Sequence, residues 1–133
     1  MKTNLEIIGG LLILLALMHL FFPKYFNWTN ELRQLSLINR QMIYVHTFFI
    51  AFILLLMGML CLTSSTDIIE TSLGTKLSLG FGLFWLIRLL IQVFGYSSLL
   101  WKGKRFETIV HVAFTLCWAY FSFVFLYIYI IKS

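Results

Sequence analysis

The sequence predicts an all-α integral membrane protein, a four-helix up-down bundle with an interfacial amphipathic segment between its first two long helices. Three observations support this fold class. Of the 133 residues, 61% are hydrophobic and 11% are charged, and the mean hydropathy is +0.94. The apolar residues form four blocks, each about as long as a bilayer is thick. The charged residues concentrate in the short connections and at the ends, as in polytopic membrane proteins.

Each apolar block is expected to be a helix, because backbone groups in lipid have to hydrogen-bond to one another. The predicted spans cover residues 5–22, 41–62, 76–99 and 108–131, within one domain over residues 1–133. Pro23 is expected to end the first span, since proline cannot donate to the helical ladder. Glu6 and the lack of a small-residue cleavage pattern favour a retained span over a cleaved signal peptide.

The longest connection, residues 23–40, is predicted to contain an interfacial amphipathic helix. Thr29 or Asn30 can cap such a helix, with Glu31 in its first turn. Apolar residues then recur at helical spacing: Leu32, Leu35, Ile38 and Met42. This helix would stand alone or run into the second span, and a solvated loop is the alternative.

Lysine and arginine are distributed unequally between the two sides of the predicted bundle. One side holds Lys24, Arg33, Arg40, Lys102, Lys104 and Arg105, and the other holds Lys2, Lys76 and Lys132. Cytoplasmic loops carry the excess of positive residues, so the first and third loops are expected in the cytoplasm. Both termini would then face outward, in a membrane of the bacterial inner-membrane type.

Histidines occur on three spans at similar predicted depth. His19 lies near the end of the first span, and His46 and His111 lie near the starts of the second and fourth. An antiparallel path places these three ends in one leaflet, so we expect the imidazoles to converge there. Three imidazoles could hold zinc, copper or iron, and two could hold a haem axially. The spacing contains no metal motif such as HExxH, so this hypothesis depends on helix arrangement alone.

Polar residues mark one face of the third span. At about 100° per residue, that face collects Gly74, Ser78, Phe81, Trp85, Arg88, Gln92 and Tyr96. Gly74, Ser78 and Gly82 also form a ridge of small residues that another helix can approach closely. A charged side chain inside a span raises the free energy of insertion into the membrane, so Arg88 is expected to have a functional or structural role there. We expect Arg88 and Gln92 to bind the anionic or polar part of a cofactor or substrate, or else to brace neighbouring helices.

Glu107 precedes His111 by four residues on the fourth span, so the two side chains can touch on one helix face. A carboxylate that orients an imidazole is a common support for a metal ligand. The alternative is that Glu107 only stabilises the positive end of the helix dipole.

Two classes of function remain open. The first is a small membrane redox or metal subunit, with haem or a transition metal as cofactor. The second is a non-catalytic accessory or assembly subunit of a larger membrane complex, or a small carrier. Its partners would be the lipid bilayer and other membrane subunits or further copies of the chain, with no nucleic acid. Candidate outward aromatic residues for such contacts are Phe121, Phe123, Phe125, Tyr127 and Tyr129.

Overall fold

The computed structural model describes residues 1–96, 100 and 102–132. Over these ranges the chain forms helices and no strand. The helices are α1 (Lys2–Tyr25), α2 (Trp28–Glu31), α3 (Leu37–Thr63), α4 (Ser65–Glu70), α5 (Ser72–Leu90) and α6 (Arg105–Lys132), with a π-helical turn (Ile91–Gly95) directly after α5. Four helical segments there are long and apolar enough to cross a membrane, namely α1, α3, α5 with its π-helical turn, and α6. The predicted all-α, four-span class is confirmed.

The first helix does not end at Pro23, as the sequence had suggested. It continues through the proline to Tyr25, and the backbone N–H of Phe26 still donates to Phe22 O at 2.9 Å. Proline at this position removes one donor, the one that would reach the carbonyl of His19. Because the lost bond lies close to the helix end, the rest of the ladder continues.

The connection between the first two spans contains much less helix than predicted. Thr29 and Asn30 lie inside the single turn of α2 and do not cap a longer amphipathic helix. The next helix begins at Leu37 and is capped by Ser36, whose hydroxyl accepts from Asn39 N at 3.4 Å. Trp28 packs edge-on against Tyr44, with ring centroids 5.5 Å apart, and so ties α2 to the start of α3.

The other boundaries depart from the sequence prediction by a few residues. Helix α4 lies in the connection between the predicted second and third spans, and α6 begins at Arg105 and runs to Lys132. The third span starts at Ser72 and is helical through Gly95. Its predicted end at Leu99 lies outside the described residues.

The chain divides into two compact units, residues 3–65 and residues 66–133 with residues 1–2. In the first unit α1 and α3 run antiparallel, since Gly9 faces Gly58 while Ala16 and Ala51 line one crevice. A Cβ at Gly9 would lie 2.7 Å from Gly58 O, so only glycine permits this close crossing. The register places His19 and His46 at the same end of this unit.

In the second unit α5 and α6 pack as an antiparallel pair around buried aromatic rings. Trp85 stacks on Trp118 with ring centroids 4.9 Å apart, and Phe81 meets Phe125 edge-on at 5.3 Å. The predicted small-residue ridge is confirmed at Gly82, where an added Cβ would lie 2.6 Å from Leu126 Cδ2.

The outward aromatic surface predicted on the fourth span is partly wrong. Phe121 and Phe125 are fully buried inside the second unit, and Tyr129 is half-buried. Phe123 and Tyr127 are exposed. The physical reason is the helical period, because residues four apart share a face and residues two apart lie on different faces.

Candidate functional site

A cluster of polar and aromatic side chains lies where the end of the third span packs on the start of α6. Its members are Arg88, Gln92, Tyr96, His111 and Trp118, and this group is called the polar cluster below. Arg88, Gln92 and Tyr96 follow one another at intervals of four residues and project from one side of the span. All five residues belong to the second unit.

Gln92 is the centre of the polar cluster. Gln92 is 6% exposed, and its Nε2 lies 2.9 Å from His111 Nδ1. The Oε1 atom accepts from Arg88 Nη1 at 3.2 Å and from Trp118 Nε1 at 3.4 Å. Both ends of the amide are therefore used, as a buried amide in an apolar setting requires.

Gln92 reaches this position from the π-helical turn Ile91–Gly95. A π-helical turn holds more residues than an α-helical turn and so changes the direction of the side chains that it carries. Such turns are rare in proteins, and many of those that occur lie at functional sites. The turn places Gln92 inward and leaves its neighbours Ile91 and Val93 exposed.

Arg88 is half-buried and is held by neutral groups. Besides Gln92, its Nη2 donates a long bond of 3.4 Å to the Tyr96 hydroxyl. Its guanidinium carbon lies 5.2 Å from the ring centroid of Trp118 and 5.6 Å from that of Tyr96. Aromatic faces stabilise a cation modestly. Among the residues that the structure describes, no carboxylate pairs with Arg88.

The aromatic stack beside the polar cluster contains a further polar atom. Phe114, Trp118 and Trp85 stack in series, with interplanar angles of 8° and 11°. Trp118 uses its N–H on Gln92. The Nε1 atom of Trp85 is buried and has no hydrogen-bond partner in the described part of the chain. An unsatisfied buried donor of this kind costs about 1–3 kcal/mol.

The three histidines have different surroundings. His19 Nδ1 lies 2.9 Å from Leu15 O, so this nitrogen carries the proton and donates within its own helix. The His19 ring also packs on Phe22, with centroids 4.6 Å apart. His46 is exposed, and both residues belong to the first unit. His111 is the histidine that joins Arg88 and Gln92 in the second unit.

The predicted metal centre finds no support in the described ranges. No group of three or more His, Cys, Asp or Glu side chains there could hold a metal ion. His111 Nδ1 contacts Gln92 from the neighbouring span, and the support of His111 by Glu107 stays a prediction. Cys61 and Cys117 are free thiols.

Of the predicted cofactor-binding residues, Arg88 and Gln92 are brought together with His111. The prediction did not include Trp118 or Tyr96 among the site residues. A signal was present, since Trp118 follows His111 by seven residues, two helical turns along one face, and Tyr96 follows Gln92 by four.

Comparison with known proteins gives no family assignment. No family model, no curated protein and no solved structure matches the chain. The protein is thus described by its own chemistry, as a small four-span membrane protein with a polar cluster in its second unit.

Proposed function

We propose that this membrane protein binds the anionic or polar group of a membrane-soluble ligand at the polar cluster, with Arg88 supplying the charge. The observation that carries this proposal is a guanidinium inside a span that has no carboxylate partner among the described residues. A ligand anion would provide the missing countercharge.

The position of Arg88 supports an anion held below the membrane surface. It precedes Gly95, the last helical residue of the span, by seven residues, which corresponds to about 10 Å along the axis. At this depth a lone cation is costly, and an opposite charge a few ångströms away recovers much of that cost. Arginine carries five N–H donors, and the bonds found here use two.

The half-buried state of Arg88 gives a ligand access to the remaining donors. The distribution of lysine and arginine in the sequence predicts that this end of the second unit lies in the cytoplasmic leaflet. An amphiphile whose acidic group sits at that depth and whose chain lies among the lipid tails fits this location. A haem or transition-metal cofactor, an accessory role and carrier activity stay separate predictions.

The experiment is a binding measurement on protein purified in a non-ionic detergent. Oleate and dodecyl phosphate serve as carboxylate and phosphate probes, followed by native mass spectrometry and by the shift in thermal unfolding. The test variant is Arg88→Gln, and Arg88→Lys retains the charge without the planar fork. Arg105→Gln is the matched control, because Arg105 is a cation at the start of α6 that is not part of the polar cluster.

We expect Arg88→Gln to weaken binding by about 10- to 100-fold, the equivalent of a charge-assisted hydrogen bond. Arg88→Lys should keep part of the affinity, and Arg105→Gln should keep nearly all of it. Equal affinities for wild type and Arg88→Gln would overturn the proposal, as would an equal loss in Arg105→Gln, which would indicate general attraction to a basic surface. Comparison of the two probes identifies the preferred acid.

A further inference from the structure

Resting on that proposed function, we infer that the ligand group is a hydrogen-bond acceptor with no donor, such as a deprotonated acid or a carbonyl. Gln92 is the positioning residue that imposes this selectivity. Its amide accepts from Arg88 and Trp118 and contacts His111 through its NH₂ group, and the cluster keeps donors to offer.

The orientation of the Gln92 amide follows from its neighbours. Arg88 and Trp118 both approach one end of the amide. Guanidinium and indole nitrogens only donate, so the atom between them has to be the oxygen. A reversed amide would direct its NH₂ group at two donors and would lose both bonds. The amide NH₂ group therefore faces His111.

The orientation of the Gln92 side-chain amide determines the tautomer of His111. Gln92 Nε2 lies 2.9 Å from His111 Nδ1 and can only donate. Nδ1 must then be the unprotonated acceptor, and the ring proton sits on Nε2. The imidazole is thus held in a single tautomer by a residue from the neighbouring span.

The donors and acceptors of the polar cluster that these bonds leave open indicate the class of ligand. The Gln92 oxygen accepts two bonds and His111 Nδ1 accepts one, so these acceptors are occupied. The Tyr96 oxygen accepts from Arg88, which leaves it one further lone pair. The donors still to be matched are further N–H groups of Arg88 and the Tyr96 O–H. Among the described side chains of the polar cluster, a ligand hydroxyl or amide N–H has only that Tyr96 lone pair to bond to, whereas a ligand acceptor has several donors, and an unsatisfied donor is costly in an apolar site.

The first test is ¹⁵N NMR of histidine-labelled protein, with His111→Gln used to assign the His111 signals. We expect Nδ1 unprotonated and Nε2 protonated in the wild type. Gln92→Glu is the matched variant, because a carboxylate accepts but does not donate, and it should move the proton to Nδ1. A wild-type His111 with a protonated Nδ1 would overturn the inference, whatever the ligand experiments show.

The second test compares two neutral probes of equal chain length, methyl oleate and oleyl alcohol. We expect the ester to bind about 2- to 10-fold more tightly, the net value of one hydrogen bond, and Gln92→Leu to remove this preference. Tighter binding of the alcohol would contradict the inference and leave Arg88-dependent oleate binding intact. Loss of Arg88 dependence with the expected tautomer would instead refute the proposed function. Failure of both neutral probes to bind would also contradict the inference, because a carbonyl is one of the acceptors that it names.

Discussion

The side chains of Gln92 and His111 are joined across two neighbouring spans, with Gln92 Nε2 2.9 Å from His111 Nδ1. The two residues are 19 positions apart in the chain. Their bond joins the third span to α6 at the end of the second unit from which the chain leads into the connection between them. Since Gln92 Oε1 also accepts from Arg88 and Trp118, one amide holds together the charge, the imidazole and the indole.

The two stacked tryptophans should respond differently to the same substitution. Trp118→Phe removes an N–H that donates to Gln92, whereas Trp85→Phe removes an N–H that has no partner in the described structure. Both changes keep a ring in the stack. We expect Trp118→Phe to reduce the free energy of unfolding by about 1 kcal/mol more than Trp85→Phe, within the range of hydrogen bonds between membrane helices.

Denaturant unfolding in detergent micelles measures the difference. The Trp85→Phe variant is the internal control for ring size. Equal losses would mean that the Trp118–Gln92 bond contributes nothing, and a larger loss for Trp85→Phe would mean that its N–H has a partner.

The adjacent glycines of α1 provide a test of helix packing. An added Cβ at Gly9 would lie 2.7 Å from the backbone oxygen of Gly58, whereas at Gly10 it would meet nothing within 4 Å. We expect Gly9→Ala to destabilise the first unit by about 1–3 kcal/mol, because the contact is with backbone and cannot be relieved by a rotamer change. Gly10→Ala should be neutral or stabilising by up to about 1 kcal/mol. Thermal unfolding of both variants in one detergent checks this, and equal effects would contradict the close crossing.

The orientation in the membrane remains a prediction from charge. Two single-cysteine variants are made in a protein from which Cys61 and Cys117 have been removed. Asn30→Cys places the cysteine in the connection between the first and second spans, and Thr66→Cys places it in the connection between the second and third. We expect a membrane-impermeant maleimide to label Thr66→Cys in intact cells and Asn30→Cys only after permeabilisation. The reason for this expectation is that an excess of lysine and arginine favours retention of a connection in the cytoplasm. The opposite labelling pattern would show that the charge rule fails for this chain.

The metal or haem hypothesis makes its own prediction. Protein purified in mild detergent would show a Soret band or near-stoichiometric zinc, copper or iron, and His46→Ala or His111→Ala would lose it while the helices stay folded. His19→Ala serves as comparison, since His19 already donates to Leu15 O. A folded, colourless and metal-free wild type would contradict this hypothesis and would leave the polar cluster as the candidate site.

Part of the candidate site could be predicted because helical spacing is local. Arg88, Gln92 and Tyr96 share a face by their intervals of four residues, and the burial of Gln92 agrees with that face. The pairing of Gln92 with His111 could not be predicted, because it depends on how two helices rotate about their axes. Glu107 was the nearer candidate in sequence, and the rotation of α6 against the third span gave the contact to Gln92.

The sequence by itself determined the four spans, since the length and hydropathy of each apolar block are properties of the chain alone. It also determined that Arg88 lies within a span. The tertiary structure decided which groups meet this cation and that Phe121 and Phe125 face inward. The physical reason is that the free energy of transfer into lipid is a sum over the residues of one helix. Hydrogen bonds and ring stacking between helices depend instead on the register and rotation of two helices.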